Sequence, residues 1–187
     1  MAIALRGTPV FGGGTAASNT LTADISSLGV QAGDFIIVGV CNGNTTSDRA
    51  AATCSGDVSG SFNLDADLYS NDNNDTNAWA FSLKATGSDA TLTIGNLANV
   101  AHGYTVWAYT GADATTPKDA TPTTSTRTNS DLANPAAITP VTTGAKVLAL
   151  YYSSQNNDAA WTAPTNTATN FNQTKNGKGR LGAGDVD

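Results

Sequence analysis

Residues 35–41 read Phe35-Ile36-Ile37-Val38-Gly39-Val40-Cys41. The run is unbroken, apolar and rich in β-branched side chains, and it is too short for a buried helix. It predicts a strand covered on both faces. Turn residues bound it, with Ala32-Gly33-Asp34 before and Asn42-Gly43-Asn44 after. Outward from this strand, Phe62, Leu64, Ala66 and Leu68 alternate with Asn63, Asp65, Asp67 and Tyr69. Period 2 places the first set on a core face and the second toward water. Trp79, Phe81 and Leu83 repeat the pattern, with Ser82 and Lys84 outward. Further strands are expected in Thr91-Leu92-Thr93-Ile94, in Tyr104-Thr105-Val106-Trp107-Ala108-Tyr109 and over residues 146–153. Weaker ones lie near 3–10, 21–25, 136–139 and 170–174.

About eight to ten short strands with frequent turn signals predict an all-β fold, an antiparallel β-sandwich or jelly roll. Val38, Val40, Phe81, Val106 and Leu148 are its expected core residues. Residues 1–174 form the sandwich domain, which carries a long Thr-, Asn- and Pro-rich loop at 111–135. Residues 175–187 are a Gly-rich C-terminal tail without a clear final strand. The N-terminal segment, the long loop and the tail hold few anchoring apolar residues, and they are expected to order against neighbouring subunits.

Composition supports this class. All 15 acidic residues of the 187 are Asp, the net charge is -6, and only 13% of residues are charged. Helix surfaces favour Glu, Gln, Lys and Arg, whose straight side chains lose little freedom there, so helical bundles and coiled coils are excluded. The nine Lys and Arg are scattered, which leaves no basic stripe for a nucleic-acid backbone. No apolar run approaches the ~18 residues of a membrane-spanning helix. The N-terminus has neither the basic leader nor the long apolar core of a signal peptide.

Candidate chemistry is sparse. Asp65 and Asp67 could form a carboxylate pair of the kind a glycosidase needs, or simply a solvated strand face. The tip Asn71-Asp72-Asn73-Asn74-Asp75-Thr76-Asn77 is dense in oxygen donors for calcium, with Asp72 and Asp75 as its carboxylates. It lacks EF-hand spacing and also reads as a plain hairpin loop. Phe11-Gly12-Gly13-Gly14-Thr15 lacks the Lys and following helix of a phosphate loop and is expected to be a turn between strands. His102 is the one histidine, with no triad motif around it and no partners for a zinc cage. Cys41 and Cys54 are a candidate disulfide, worth about 3 kcal/mol if the intervening loop folds back. The alternative is two buried thiols. Trp79 reads as core, whereas Trp107, Tyr109 and Trp161 could build a sugar-stacking platform if exposed. No catalytic, cofactor-binding or metal residue is assigned.

The order of motifs carries a resemblance. Gln31-Ala32-Gly33-Asp34 precedes an apolar strand, and a Trp-bearing strand is followed by Ala85-Thr86-Gly87-Ser88-Asp89-Ala90-Thr91. A strand then ends in Tyr109-Thr110-Gly111-Ala112, and Asn134-Pro135-Ala136-Ala137-Ile138-Thr139-Pro140 comes later. Over about residues 30–165 this resembles small β-sandwich structural proteins of tailed bacteriophages, such as capsid decoration proteins and tail or fibre components. The resemblance implies a virion structural protein, made in the host cytoplasm, with capsid or other virion proteins as partners. It implies self-association, a trimer being one form, and no enzymatic activity, cofactor, nucleic acid or membrane. A capsid decoration (cement) protein stabilising the phage head is the leading expectation. A tail or fibre component, a glycan-binding adhesin module and a polysaccharide-degrading enzyme are the rivals.

Overall fold

The computed structural model describes residues 2–14, 18–43, 45, 47–71, 76–125, 137–153, 172–176 and 179–186. Among these the only helical element is one 3-10 turn, Ser26–Leu28, and every strand pairing is antiparallel. The strands are β1 (Ala4–Leu5), β2 (Val10–Gly14), β3 (Leu21–Asp24), β4 (Phe35–Gly43), β5 (Thr53–Gly56), β6 (Gly60–Ser61) and β7 (Asn63–Ser70). They continue with β8 (Thr76–Lys84), β9 (Thr91–Gly95), β10 (His102–Thr110), β11 (Val147–Ser153), β12 (Asn172–Asn176) and β13 (Gly179–Val186).

The chain is an all-β sandwich, with three sheets among the described residues. A six-stranded sheet runs β1-β10-β4-β8-β7, with β2 also on β10. A four-stranded sheet runs β3-β9-β5-β6, and a three-stranded sheet runs β11-β13-β12. The main core lies between the first two sheets. There Val38 and Val40, Trp79 and Phe81, and Val106 and Ala108 meet Ala23, Cys54, Leu92 and Ile94. On the opposite face of the large sheet, Trp107 and Tyr109 are buried with Ala183 and packed by Phe11, Leu148 and Leu150. Burial of β4 on both faces, expected from residues 35–41, follows from this stacking. Gly39 serves it directly, since a Cβ there would lie 3.1 Å from Leu150. Leu148 joins the second cluster, half-buried, and not the main core.

The third sheet corrects several expectations. Of the stretch expected to be a tail, residues 179–186 form β13, the central strand of that sheet, and β12 spans the expected domain boundary at residue 174. Glycine weakens the strand signal there, because it lacks both β propensity and a side chain to alternate. Ser82, expected to face water, is 1% exposed, because its side of the sheet is covered too.

Three other local readings change. The alternation over 62–69 breaks at a bulge between Leu64 and Ala66. Leu64 therefore lies opposite Phe81 and Leu68 opposite Ala78, on different faces, and Leu64 is left exposed. The bulge and the Asp residues blunt this edge strand against pairing. The strand expected over 3–10 divides into β1 and β2, because residues 6–9 leave the ladder: Gly7 takes φ 65° and Arg6 swings to Asp34. The glycine triplet forms β2 and is not a turn. A Cβ at Gly12 would sit 2.4 Å from the Tyr104 hydroxyl, so glycine admits that ring. Residues 137–140 form no strand; Pro140 has no N–H to donate to a ladder.

Cys41 and Cys54 are both free and buried. They lie on opposite faces of the large sheet, Cys41 beside Ala78, Leu68 and Tyr152, and Cys54 in the main core. A disulfide between them is therefore not formed. The alternation of β4 sends Cys41 to the side opposite Val40, away from the sheet that carries Cys54. Burial pushes both thiols up to about 12, with the Gly103 amide partly offsetting this at Cys41. The thiolate is the reactive form. Both cysteines should accordingly resist a thiol reagent in the native protein and titrate as two free thiols once unfolded. Recovery of no free thiol after unfolding would refute this.

Candidate functional site

Acidic side chains hold the loops. Asp24 accepts the Ser26 amide at 2.9 Å, and Asp34 accepts the Gln31 amide at 2.8 Å. Asp57 accepts Ala90 and Thr91, while Asp89 accepts Val58 and Ser59, so two loops brace each other reciprocally. Asp113 accepts Thr115 at 2.8 Å and Thr116 at 2.7 Å, and Asp119 accepts Val141 at 2.5 Å and Thr142 at 3.0 Å. Asp reaches local backbone amides in a way the longer Glu does not, which gives the all-Asp composition a structural reason. The local signal was present in Asp24-Ile25-Ser26 and in Asp113-Ala114-Thr115-Thr116, where Asp precedes Ser or Thr by two or three residues. The long-range clamps at Asp89 and Asp119 had no such signal.

These clamps shape a loop face at the end of the large sheet where β4 begins and β8 and β10 end. The first part of the expected excursion, residues 111–125, has no regular structure but is tied down. Lys84 Nζ donates to the Ala114 carbonyl at 2.6 Å, and Lys118 Nζ pairs with Asp65 at 2.5 Å. At Gly111, φ is 80° and a Cβ would lie 2.3 Å from the Ala2 carbonyl oxygen, so only glycine turns the chain there. Between residues 111–119, residues 142–146 and Ala2-Ile3 lies an open groove of about 960 Å3. Among the described residues its charged lining is Asp113 and Asp119 with Lys118 and Lys146. The rest of the expected loop, residues 126–135, lies outside the described residues.

The sequence-derived candidates do not converge on this groove. Asp65 is engaged by Lys118. Asp67 lies across from Trp79, its carboxyl pushed up by burial and then by the Asp48 charge, against the opposing pull of the Trp79 indole. The indole N–H itself has no partner at hydrogen-bonding distance. Asp72 and Asp75 lie outside the described residues, as does Trp161; Thr76 and Asn77 belong to β8. Asn77 is fully buried and orders the preceding loop, donating to Thr45 at 2.8 Å and accepting from the Arg49 amide at 3.0 Å. His102 is buried in β10 with Nδ1 at 3.2 Å from the Val100 carbonyl. Trp79 and Trp107 are buried, so neither stands on an exposed aromatic strip. Among the described residues, no three His, Cys, Asp or Glu side chains gather as a metal site. No family model matches the chain, and no curated protein or solved structure matches it.

The clamps carry a pH dependence. Asp57 is held below the usual carboxylate range by the Thr91 amide first, Asp113 by the Thr116 amide first, and Asp119 by the Thr142 hydroxyl first. A carboxylate whose folded value lies below its unfolded one stabilises the fold above the unfolded value, and that stability is lost as the pH falls through the folded value. Asp67 has the opposite sign, so acid relieves it, but it is one group against several. The melting temperature should therefore hold at neutral pH and decline below about pH 4, the ordinary aspartate value. A melting temperature unchanged down to about pH 2 would show that these clamps add nothing to stability.

Proposed function

We propose that this chain is a virion structural protein of a tailed bacteriophage, and specifically a capsid decoration protein that braces neighbouring capsid subunits. The observation that supports this reading most directly is the use of the acidic side chains. Asp57, Asp89, Asp113 and Asp119 each hold backbone amides of a loop. Such clamping makes a rigid scaffold whose loops are preorganised for contact, and preorganisation lowers the entropy lost on association. The order of turn and strand motifs along the chain supports the same reading. Ala114 and Lys118 already tether the start of the long loop to the large sheet, so in this role residues 111–118 would present a finished surface and not an arm that folds on the shell.

Purified particles provide the test. The chain should co-purify with assembled heads through a density gradient, at a copy number that is a simple ratio to the major capsid subunit. A copy number of a few per particle would move it to the tail or fibres. Its absence from washed particles would end the virion reading.

A further inference from the structure

Val141 is the most exposed large apolar side chain among the described residues, at 82%. It is also held rigidly, since Asp119 accepts its amide at 2.5 Å and both the amide and hydroxyl of Thr142. The groove begins at the next residue, and Ala2, Ile3, Ala112, Ala114 and Pro117 supply its apolar surface. A fixed apolar knob thus stands at the rim of a recess on the same face. Charge makes a second copy the fitting occupant. The chain carries -6 overall, yet the described residues of the groove balance two Asp against two Lys. Like copies of an acidic protein repel each other through most approaches and least through a charge-balanced face. A knob beside its own recess is self-complementary under a two-fold axis, the commonest symmetry of homo-oligomers.

We infer that this loop face is a self-association surface, on which Val141 of each copy seats in the groove of the other. The pairing is a property of the isolated chain and does not depend on the virion reading. Sedimentation equilibrium of the full chain, from micromolar to near-millimolar concentration, tests it. The expected result is a monomer–dimer equilibrium whose Kd rises at least about tenfold in Val141→Asp. Val58→Asp, at an exposed valine on the β5–β6 turn that does not line the groove, should leave that Kd unchanged. Circular dichroism should show both variants folded, because Val141 is too exposed to support the core. A wild-type chain that stays monomeric, forms another stoichiometry, or dimerises equally well as Val141→Asp would overturn the inference.

Discussion

Trp107→Ala should lower the unfolding free energy by about 4 kcal/mol, the range for removing a large buried aromatic side chain. Trp107 is 0% exposed, meets Phe11 edge-on at 6.3 Å, and stacks on Tyr109 at 6.5 Å. Its indole N–H donates to the buried Thr105 hydroxyl at 2.9 Å, so truncation also leaves that hydroxyl unpaired. The side chain is the centre of the layer between the large sheet and the three-stranded sheet. For a chain of this length the loss corresponds to a drop of roughly 10 °C in melting temperature. Trp107→Phe keeps the ring contacts and should cost about half as much. Thermal unfolding of the two variants checks both values. An unchanged midpoint in Trp107→Ala would mean that the third sheet does not cover this face.

The second large effect is expected at Arg6. Its guanidinium grips Asp34 in a fork, Nε to Oδ2 at 2.7 Å and Nη2 to Oδ1 at 2.9 Å. The partners are unequal, with side-chain exposures of 26% for Arg6 and 3% for Asp34. Arg6→Ala therefore leaves a carboxylate buried, with the Gln31 amide as its remaining side-chain contact, and should cost about 3 kcal/mol. The pair also joins the chain between β1 and β2 to the turn before β4, and the Arg6 amide donates to the Ala108 carbonyl at 2.7 Å. Asp34→Ala leaves an arginine that water can reach. The double variant Arg6→Ala/Asp34→Ala should consequently be more stable than Arg6→Ala alone. Urea denaturation of the two single variants and the double variant measures the coupling. A double variant as unstable as the sum of the singles would show that the fork contributes no pairwise energy.

What the amino-acid sequence by itself determined about this protein is its local order. The apolar run at 35–41, the alternation through Trp79 and Phe81, and the absence of Glu predict strands, turns and an all-β class, because propensity and period act within a few residues. The main core followed from the same pattern, at Val38, Val40, Phe81 and Val106. Tertiary structure decided what lies across from each strand. A third sheet buries Trp107, and the Gly-rich stretch at 179–186 becomes its central strand only because β11 and β12 flank it. One bulged residue after Leu64 reverses the facing of the rest of β7, since side chains alternate with period 2. The partners of Asp34, Asp89 and Asp119 are likewise tertiary: Arg6 is 28 residues from Asp34, Val58 is 31 from Asp89, and Val141 is 22 from Asp119. An aspartate in a linear sequence carries no mark of the distant amide it will hold, because that pairing exists only once the sheets have stacked.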